Sequence, residues 1–255
     1  MDISEFSRLH VTSNYARHPW EIARSRVLIR LLSKHVPLPQ DQLVDIGSGD
    51  AYVIHVACAN NTARAYSAVD IAYTPEIVTQ LKENNPSSPV GYFATFQDMD
   101  AGSRPVAKRL YLCMDVLEHL EDEKIVLDQI VKEPAADHPT YYFFSVPAFQ
   151  SLFSNHDVLL GHYRRYSVSQ LKELCIGRKL TVIDSGYFFF SLLMARWWEK
   201  KLLKKKDYSI DNWTGSPAKT KFLAFVLGVD FRIGQALKKI GIQLPGLSCY
   251  CICRT

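Results

Sequence analysis

Long apolar runs are missing from this 255-residue chain: the aromatic and aliphatic stretch from Gly186 to Trp198 is too short to span a bilayer and carries Arg196. The opening residues, MDISEFSRLH, have neither the basic start nor the apolar core of a secretory signal, so a cytoplasmic protein is expected. Cysteine is sparse, six in all, with no CxxC pair and no histidine at ligand spacing. No metal is therefore expected, and Cys249, Cys251 and Cys253, alternating along one strand, read as reduced core thiols. An excess of either charge is missing too. The 30 basic against 26 acidic residues give a net charge of +4, too little and too dispersed for a nucleic-acid surface, so no nucleic acid is expected as a partner. Apolar residues make up 47% of the chain, which excludes a disordered protein, and the length suits one domain with decorations.

Against this background one stretch organises the rest: Leu43-Val44-Asp45-Ile46-Gly47-Ser48-Gly49-Asp50. It reads as a buried strand ending in a carboxylate and running into a glycine turn, with an apolar helix over Ala51 to Ala59 behind it. Glycine lets a backbone take positive φ and approach a ligand closely, so strand, turn and helix start form a cradle. The third glycine of the dinucleotide fingerprint is absent, since Tyr52 holds its place. A pyrophosphate would also be repelled by Asp45 and Asp50, whereas a ligand bearing an ammonium group would be held by them.

LVDIGSGDA resembles motif I of the class I S-adenosylmethionine (SAM) dependent methyltransferases, with Asp45 at the acidic position, Gly47 and Gly49 at the turn glycines, Ser48 between them, and Ala51 where many members have a third glycine. A second short strand, Ala65 to Val69, ends at Asp70, and the resemblance implies that Asp70 takes the ribose hydroxyls with Ile71 beside it. After a third strand, Val90 to Phe96, the family places an acidic residue at the adenine amino group and an apolar one on the ring; Asp98 with Met99 fits best, and Asp100 is a rival. Arg109 to Met114 is a fourth strand, followed by Asp115-Val116-Leu117-Glu118-His119-Leu120. DVLEHL resembles the motif after that strand in many small-molecule methyltransferases, which puts Asp115 at the cofactor's amino group or the substrate. Glu118 and His119 read either as an acid/base pair or as the capped opening of a helix.

A helix is predicted over residues 13 to 35, with Pro37 and Pro39 ending it and His18-Pro19-Trp20 bending the chain before it; Trp20 either caps a pocket or anchors the helix. Thr140 to Val146, Leu180 to Tyr187 and Ser248 to Arg254 read as strands five, six and seven. The expected fold is an α/β, doubly wound seven-stranded sheet, mostly parallel with an antiparallel last strand, plus helical cap insertions. One methyltransferase domain covers residues 1–255: an N-terminal helical cap (1–41), a SAM-binding core (42–187), a helical lid insertion (188–247) and the last strand (248–255).

After strand five the chain is dense in groups that bind or move protons: Ser154-Asn155-His156-Asp157 and Gly161-His162-Tyr163-Arg164-Arg165-Tyr166. Two roles compete. Either His156 or His162 is the general base while Arg164, Arg165 and Tyr166, with Trp20, meet the acceptor, or the same residues form a polar knot that fastens the loop. Ser167 with Gln170 reads as a capping box for the next helix. Within the insertion, Trp197-Trp198 precede the basic run Lys200, Lys201, Lys204, Lys205 and Lys206. A helix from Lys221 to Ile240 then carries Phe222, Phe225, Val226, Val229, Ile233, Leu237 and Ile240 on one face. This insertion reads as lid, extra core or peripheral membrane contact.

The resemblance thus implies a SAM-dependent methyltransferase acting at oxygen or nitrogen of a small-molecule acceptor. Two alternatives stand beside it: a non-catalytic SAM-binding protein of the same fold, and a membrane-surface methyltransferase of lipid-linked substrates. RNA methylation ranks last. The oligomeric state is left open.

Overall fold

The computed structural model describes residues 17–101, 107–131, 138–198, 213 and 215–255. Seven strands alternate with helices: β1 (Gln40–Ile46), β2 (Ala63–Val69), β3 (Val90–Phe93), β4 (Arg109–Met114), β5 (Tyr141–Pro147), β6 (Thr181–Phe188) and β7 (Ser248–Arg254). They form one sheet in the order β3-β2-β1-β4-β5-β7-β6, and β7 runs antiparallel to both of its neighbours. This is the seven-stranded arrangement that the sequence led us to expect. The chain leaves β1 toward β2 and β3, then returns to place β4 on the other side of β1. That reversal opens a crevice at the carboxyl ends of β1 and β4, the place where open α/β sheets bind ligands.

The central strands are buried on both faces, which explains their unbroken apolar character. One face carries Leu43, Leu110, Leu112, Phe143, Tyr250 and Ile252 and is covered by α1 (Pro19–His35), α2 (Tyr52–Ala59), α3 (Pro75–Asn84) and part of α9 (Pro217–Lys239). The other carries Val44, Ile46, Tyr111, Tyr142 and Phe144 and is covered by α4 (Phe96–Ala101), α5 (Lys124–Ile130) and α7 (Val168–Ile176). Cys249, Cys251 and Cys253 point into this second layer, fully buried.

Local chemistry sets several boundaries. Thr74 caps α3 and Pro75 sits in its first turn, where a missing N–H is harmless. The Ser167–Gln170 capping box forms as anticipated, with Ser167 N–H donating to Gln170 Oε1 at 2.8 Å and Gln170 N–H to Ser167 Oγ at 3.2 Å. Four expectations are corrected. β3 stops at Phe93, because Phe96 already belongs to α4. Glu118 and His119 lie in a single 3₁₀ turn, Leu117–His119, and open no α-helix. The last helix begins four residues before Lys221, at Pro217, capped by the Ser216 hydroxyl. The helix expected over residues 13–35 starts only at Pro19, with His18 as its extended cap; residues 13–16 and the lysine run at 200–206 lie outside the described residues.

The insertion between β6 and β7 comprises α8 (Phe190–Trp198) and α9. α9 packs beside α1. Its Lys238 ammonium donates to Asp184 and to Ser185 O at 2.6 Å, while Tyr250 Oη donates to the same Asp184 at 2.8 Å. Ala224, Leu227 and Phe231 turn inward. Most of the apolar positions singled out in the sequence face the other way, Phe222 being 64% exposed and Ile240 71%, while Val229 and Leu237 are half-buried.

Candidate functional site

β1 delivers Asp45 to the crevice, and the chain then turns through three left-handed residues, Gly47 (φ +65°), Gly49 (φ +54°) and Ala51 (φ +61°). Glycine at position 47 has a second cause. A Cβ there would lie 2.4 Å from Val116 Cγ2, so the Val116 side chain packs into the space that the missing side chain leaves. The turn is fastened from β2. Asp70 accepts from Gly49 N–H at 3.0 Å and Ala72 N–H at 2.9 Å, and Tyr73 Oη donates to Gly49 O at 3.0 Å.

Asp45 is buried and accepts a hydrogen bond from Ser48 Oγ at 2.8 Å. Burial raises its pKa to about 7, with Asp70 and Asp50 adding to the rise and Ser48 and Arg24 opposing it. Asp70 is likewise pushed up by burial, against the pull of its two backbone donors. Carboxylates so placed gain most from a cationic or hydroxyl-bearing ligand.

Sequence reasoning missed the arginines that close over this turn. Arg24, buried on α1, pairs with Asp115 and stacks on Trp20 at 4.5 Å. Arg17 binds Asp50 at 2.7 Å and Glu21 at 2.9 Å and lies over the Tyr52 ring. A charged residue on a helix reads as its solvent face, so no local signal marked Arg24 as inward. Asp115, with φ +54°, stands at the end of β4 facing that arginine. Trp20 thus supports Arg24.

Other expected site residues are placed as follows. Ile71 is 88% exposed beside Asp70. Asp98 is exposed and accepts from Thr95 Oγ1 at 2.6 Å at the start of α4, whereas Met99 is buried against the second core layer. Asp100 faces Arg109 at 3.9 Å.

The loop after β5 is tied around Asp157, at the third position of a short helix, α6 (Asn155–Leu159), that Ser154 caps. Its carboxylate accepts from Ser154 N–H at 2.9 Å, from Arg165 Nε at 2.7 Å and from Arg165 Nη2 at 3.1 Å, and it meets His162 Nδ1 at 3.0 Å. These partners hold the Asp157 pKa well below the ordinary carboxylate range despite burial. Arg164 pairs with Glu123 and with Glu121 O. The knot docks onto the turn after β4: Tyr163 N–H donates to Glu118 O at 2.7 Å and Tyr166 Oη to Leu117 O at 3.3 Å. His162 then stands 4.6 Å, ring centre to ring centre, from His119, with the planes nearly perpendicular. His156 is half-buried on α6.

No protein-family model matches the sequence, and no curated protein matches it. Solved structures do. The N-methyltransferase NodS from Bradyrhizobium japonicum WM9, crystallised with S-adenosyl-L-homocysteine, is similar over 99% of this chain and 96% of its own, at 14% identity and a TM-score of 0.54. Phosphoethanolamine N-methyltransferase 2 of Haemonchus contortus, in complex with SAM, is similar over 99% of this chain and 57% of its own, at 12% identity and a TM-score of 0.54. The [4+2]-cyclase SpnF is similar over 96% of this chain and 84% of its own, at 13% identity and a TM-score of 0.53. The chain has the Rossmann-like fold of the class I SAM-dependent methyltransferases. A cyclase shares that fold, so it does not by itself name a reaction.

Proposed function

We propose that this chain is a SAM-dependent methyltransferase acting on oxygen or nitrogen of a small-molecule acceptor. The observation that carries the reading is a pair of buried carboxylates, Asp45 and Asp70, at the tips of adjacent strands on either side of the Gly47–Gly49 turn. The cradle fits the cofactor: a turn that tolerates no Cβ at Gly47, a carboxylate to meet an ammonium group, and a second to meet a diol. Asp45 would hold the amino group of the methionine part, and Arg24 its carboxylate. Asp70 retains acceptor capacity for the ribose hydroxyls beyond its two backbone donors. Ile71 would cover the base, with Asp98 at its edge. Asp115 would complete the amino-acid end.

When bound, the sulfonium supplies its own activated methyl group, so the protein needs chiefly to align an acceptor and exclude water. On the acceptor side, Asp157, Arg164 and Arg165 act as scaffolding, while His162 brings an imidazole to the same sheet edge as Asp115. Titration calorimetry tests the cofactor reading. Wild-type protein should bind SAM, and Asp70→Ala should lose at least tenfold for both SAM and 5′-methylthioadenosine, which lacks the amino-acid part. Arg24→Met should weaken SAM by a similar factor, since a charged hydrogen bond contributes about 1.5–3 kcal/mol, and leave methylthioadenosine unaffected. Absence of wild-type binding, or an unchanged Asp70→Ala, overturns the reading. Turnover is then sought with labelled SAM and an acceptor panel.

A second reading adds a location. The outward stripe on α9 (Phe222, Phe225, Val226, Ile233 and Ile240), with exposed Trp197 and Trp198 and the lysines at 200–206, suits an anionic membrane surface and lipid-linked acceptors. Among the described residues no helix is long and apolar enough to cross a membrane, so the contact would be peripheral. Co-sedimentation with anionic but not neutral vesicles is the expected result. No sedimentation with either removes this reading and leaves the cofactor assignment standing.

A further inference from the structure

We propose that Glu118, His119 and His162 bind a divalent transition-metal ion through one carboxylate oxygen and two imidazole nitrogens. One donor atom from each of the three lies within 4.8 Å of the other two. An ion at about 2.0–2.2 Å from each donor closes that span with a small inward movement of the side chains. Glu118 and His119 come from the 3₁₀ turn after β4, and His162 comes from the loop after α6; the Tyr163–Glu118 backbone bond holds turn and loop together.

Glu118 points independently to a ligand. It is 0% exposed, and neither carboxylate oxygen has a hydrogen-bond partner. A carboxyl group buried without a hydrogen-bond partner is strongly disfavoured, whereas an apolar side chain would fill the same space without that cost. A cation bound between Glu118 and the two imidazoles supplies the missing partner.

The polar knot prepares the third donor. Arg165 keeps Asp157 anionic, and Asp157 engages His162 at Nδ1, which places the ring proton there and leaves the Nε2 lone pair for a metal. Carboxylate–imidazole pairs of this kind orient metal-bound histidines and increase their basicity. Two nitrogens and one oxygen suit Zn²⁺, Co²⁺, Ni²⁺, Mn²⁺ or Fe²⁺; Ca²⁺ and Mg²⁺ favour all-oxygen sets. Three protein ligands leave coordination positions open. If the methyltransferase reading holds, an acceptor hydroxyl taking such a position would lose its proton more readily. The metal site itself does not depend on that reading.

The test uses the full chain without nucleoside, so its outcome is separate from that of the SAM titration. Co²⁺ is added while visible absorption is followed, with calorimetry in parallel. One equivalent should bind, giving nitrogen–oxygen d–d bands and no thiolate charge-transfer band. Glu118→Gln and His119→Asn should each weaken binding at least tenfold, with Cys251→Ser unchanged. That control is needed because Cys175, Cys251 and Cys253 form another cluster of close donors among the described residues. In wild-type protein, Zn²⁺ should also protect His119 and His162 from a histidine-acylating reagent, a readout that needs no variant. Any one of three results overturns the site: no saturable Co²⁺ binding, a thiolate band lost in Cys251→Ser, or affinity unchanged in both Glu118→Gln and His119→Asn.

Discussion

Gly47 and Ala51 share a left-handed backbone but not a reason for it. At Gly47 the left-handed φ disfavours a side chain and a Cβ would also meet Val116 Cγ2 at 2.4 Å, so two separate causes favour glycine there. Ala51 carries its methyl in a fully buried position at φ +61°. Left-handed backbone costs an L-residue roughly 1–2 kcal/mol. Ala51→Gly would relieve this, but it removes a buried methyl worth about 0.8 kcal/mol and raises the entropy of the unfolded chain by about 0.4–1 kcal/mol. The effects offset, and urea unfolding of Ala51→Gly should lie within about 1 kcal/mol of wild type. Ala51→Val adds a branched side chain to the same backbone and should lose more than about 2 kcal/mol. The motif was legible at this scale because φ constraints act on single residues. Arg24 was not legible, since its partner Asp115 lies 91 residues away in the chain.

At the scale of elements, α9 shows where periodicity runs out. Its sequence is apolar on two opposite faces, and the stripe through Phe222, Phe225, Val226, Val229, Ile233, Leu237 and Ile240 looked the stronger. Packing buries the other, Ala224, Leu227 and Phe231, because Lys238 must reach Asp184 on β6. Phe231→Ala should therefore cost about 3–5 kcal/mol of stability. The double variant Phe222→Ser with Phe225→Ser should shift urea stability by no more than about 0.5 kcal/mol per site while sedimenting less with anionic vesicles. A large loss of stability in the double variant would show that this face is covered. The loop after β5 teaches the same lesson: its capping box at Ser167 was local and readable, whereas the convergence of Ser154, His162 and Arg165 on Asp157 required the fold.

Across the whole molecule, buried acids set the response to pH. Asp45 and Glu118 have pKa values raised to about 7 and about 8, so the folded state keeps two protons that the unfolded chain releases near pH 4 to 5. Stability then falls as pH rises through that interval, by up to about 1.4 kcal/mol per pH unit for each acid. Asp157 and Asp184, both lowered, act oppositely in more acidic solution, and His35 and His55, lowered by burial, oppose the trend as pH rises through the ordinary imidazole range. Metal-free protein should unfold at lower urea concentration at pH 8.5 than at pH 5.5, and Glu118→Gln should flatten the slope. A flat wild-type profile would mean that these carboxyls are hydrated. A cation that displaces those protons would find the crevice a favourable site.

Short-range patterns determined much of this protein without any coordinates: the strand–turn–helix around Gly47, the carboxylates ending β1 and β2, the bounds of β4 and β7, and the doubly wound class. They were readable because strand burial, glycine φ and helix capping depend on residues a few positions apart. The tertiary structure alone decided which face of α9 is inside, that Arg24 reaches over the turn to Asp115, and that Glu118, His119 and His162 converge. Those facts depend on which distant segments share a sheet edge, and the order β3-β2-β1-β4-β5-β7-β6 sets that by bringing loops far apart in the chain to one rim.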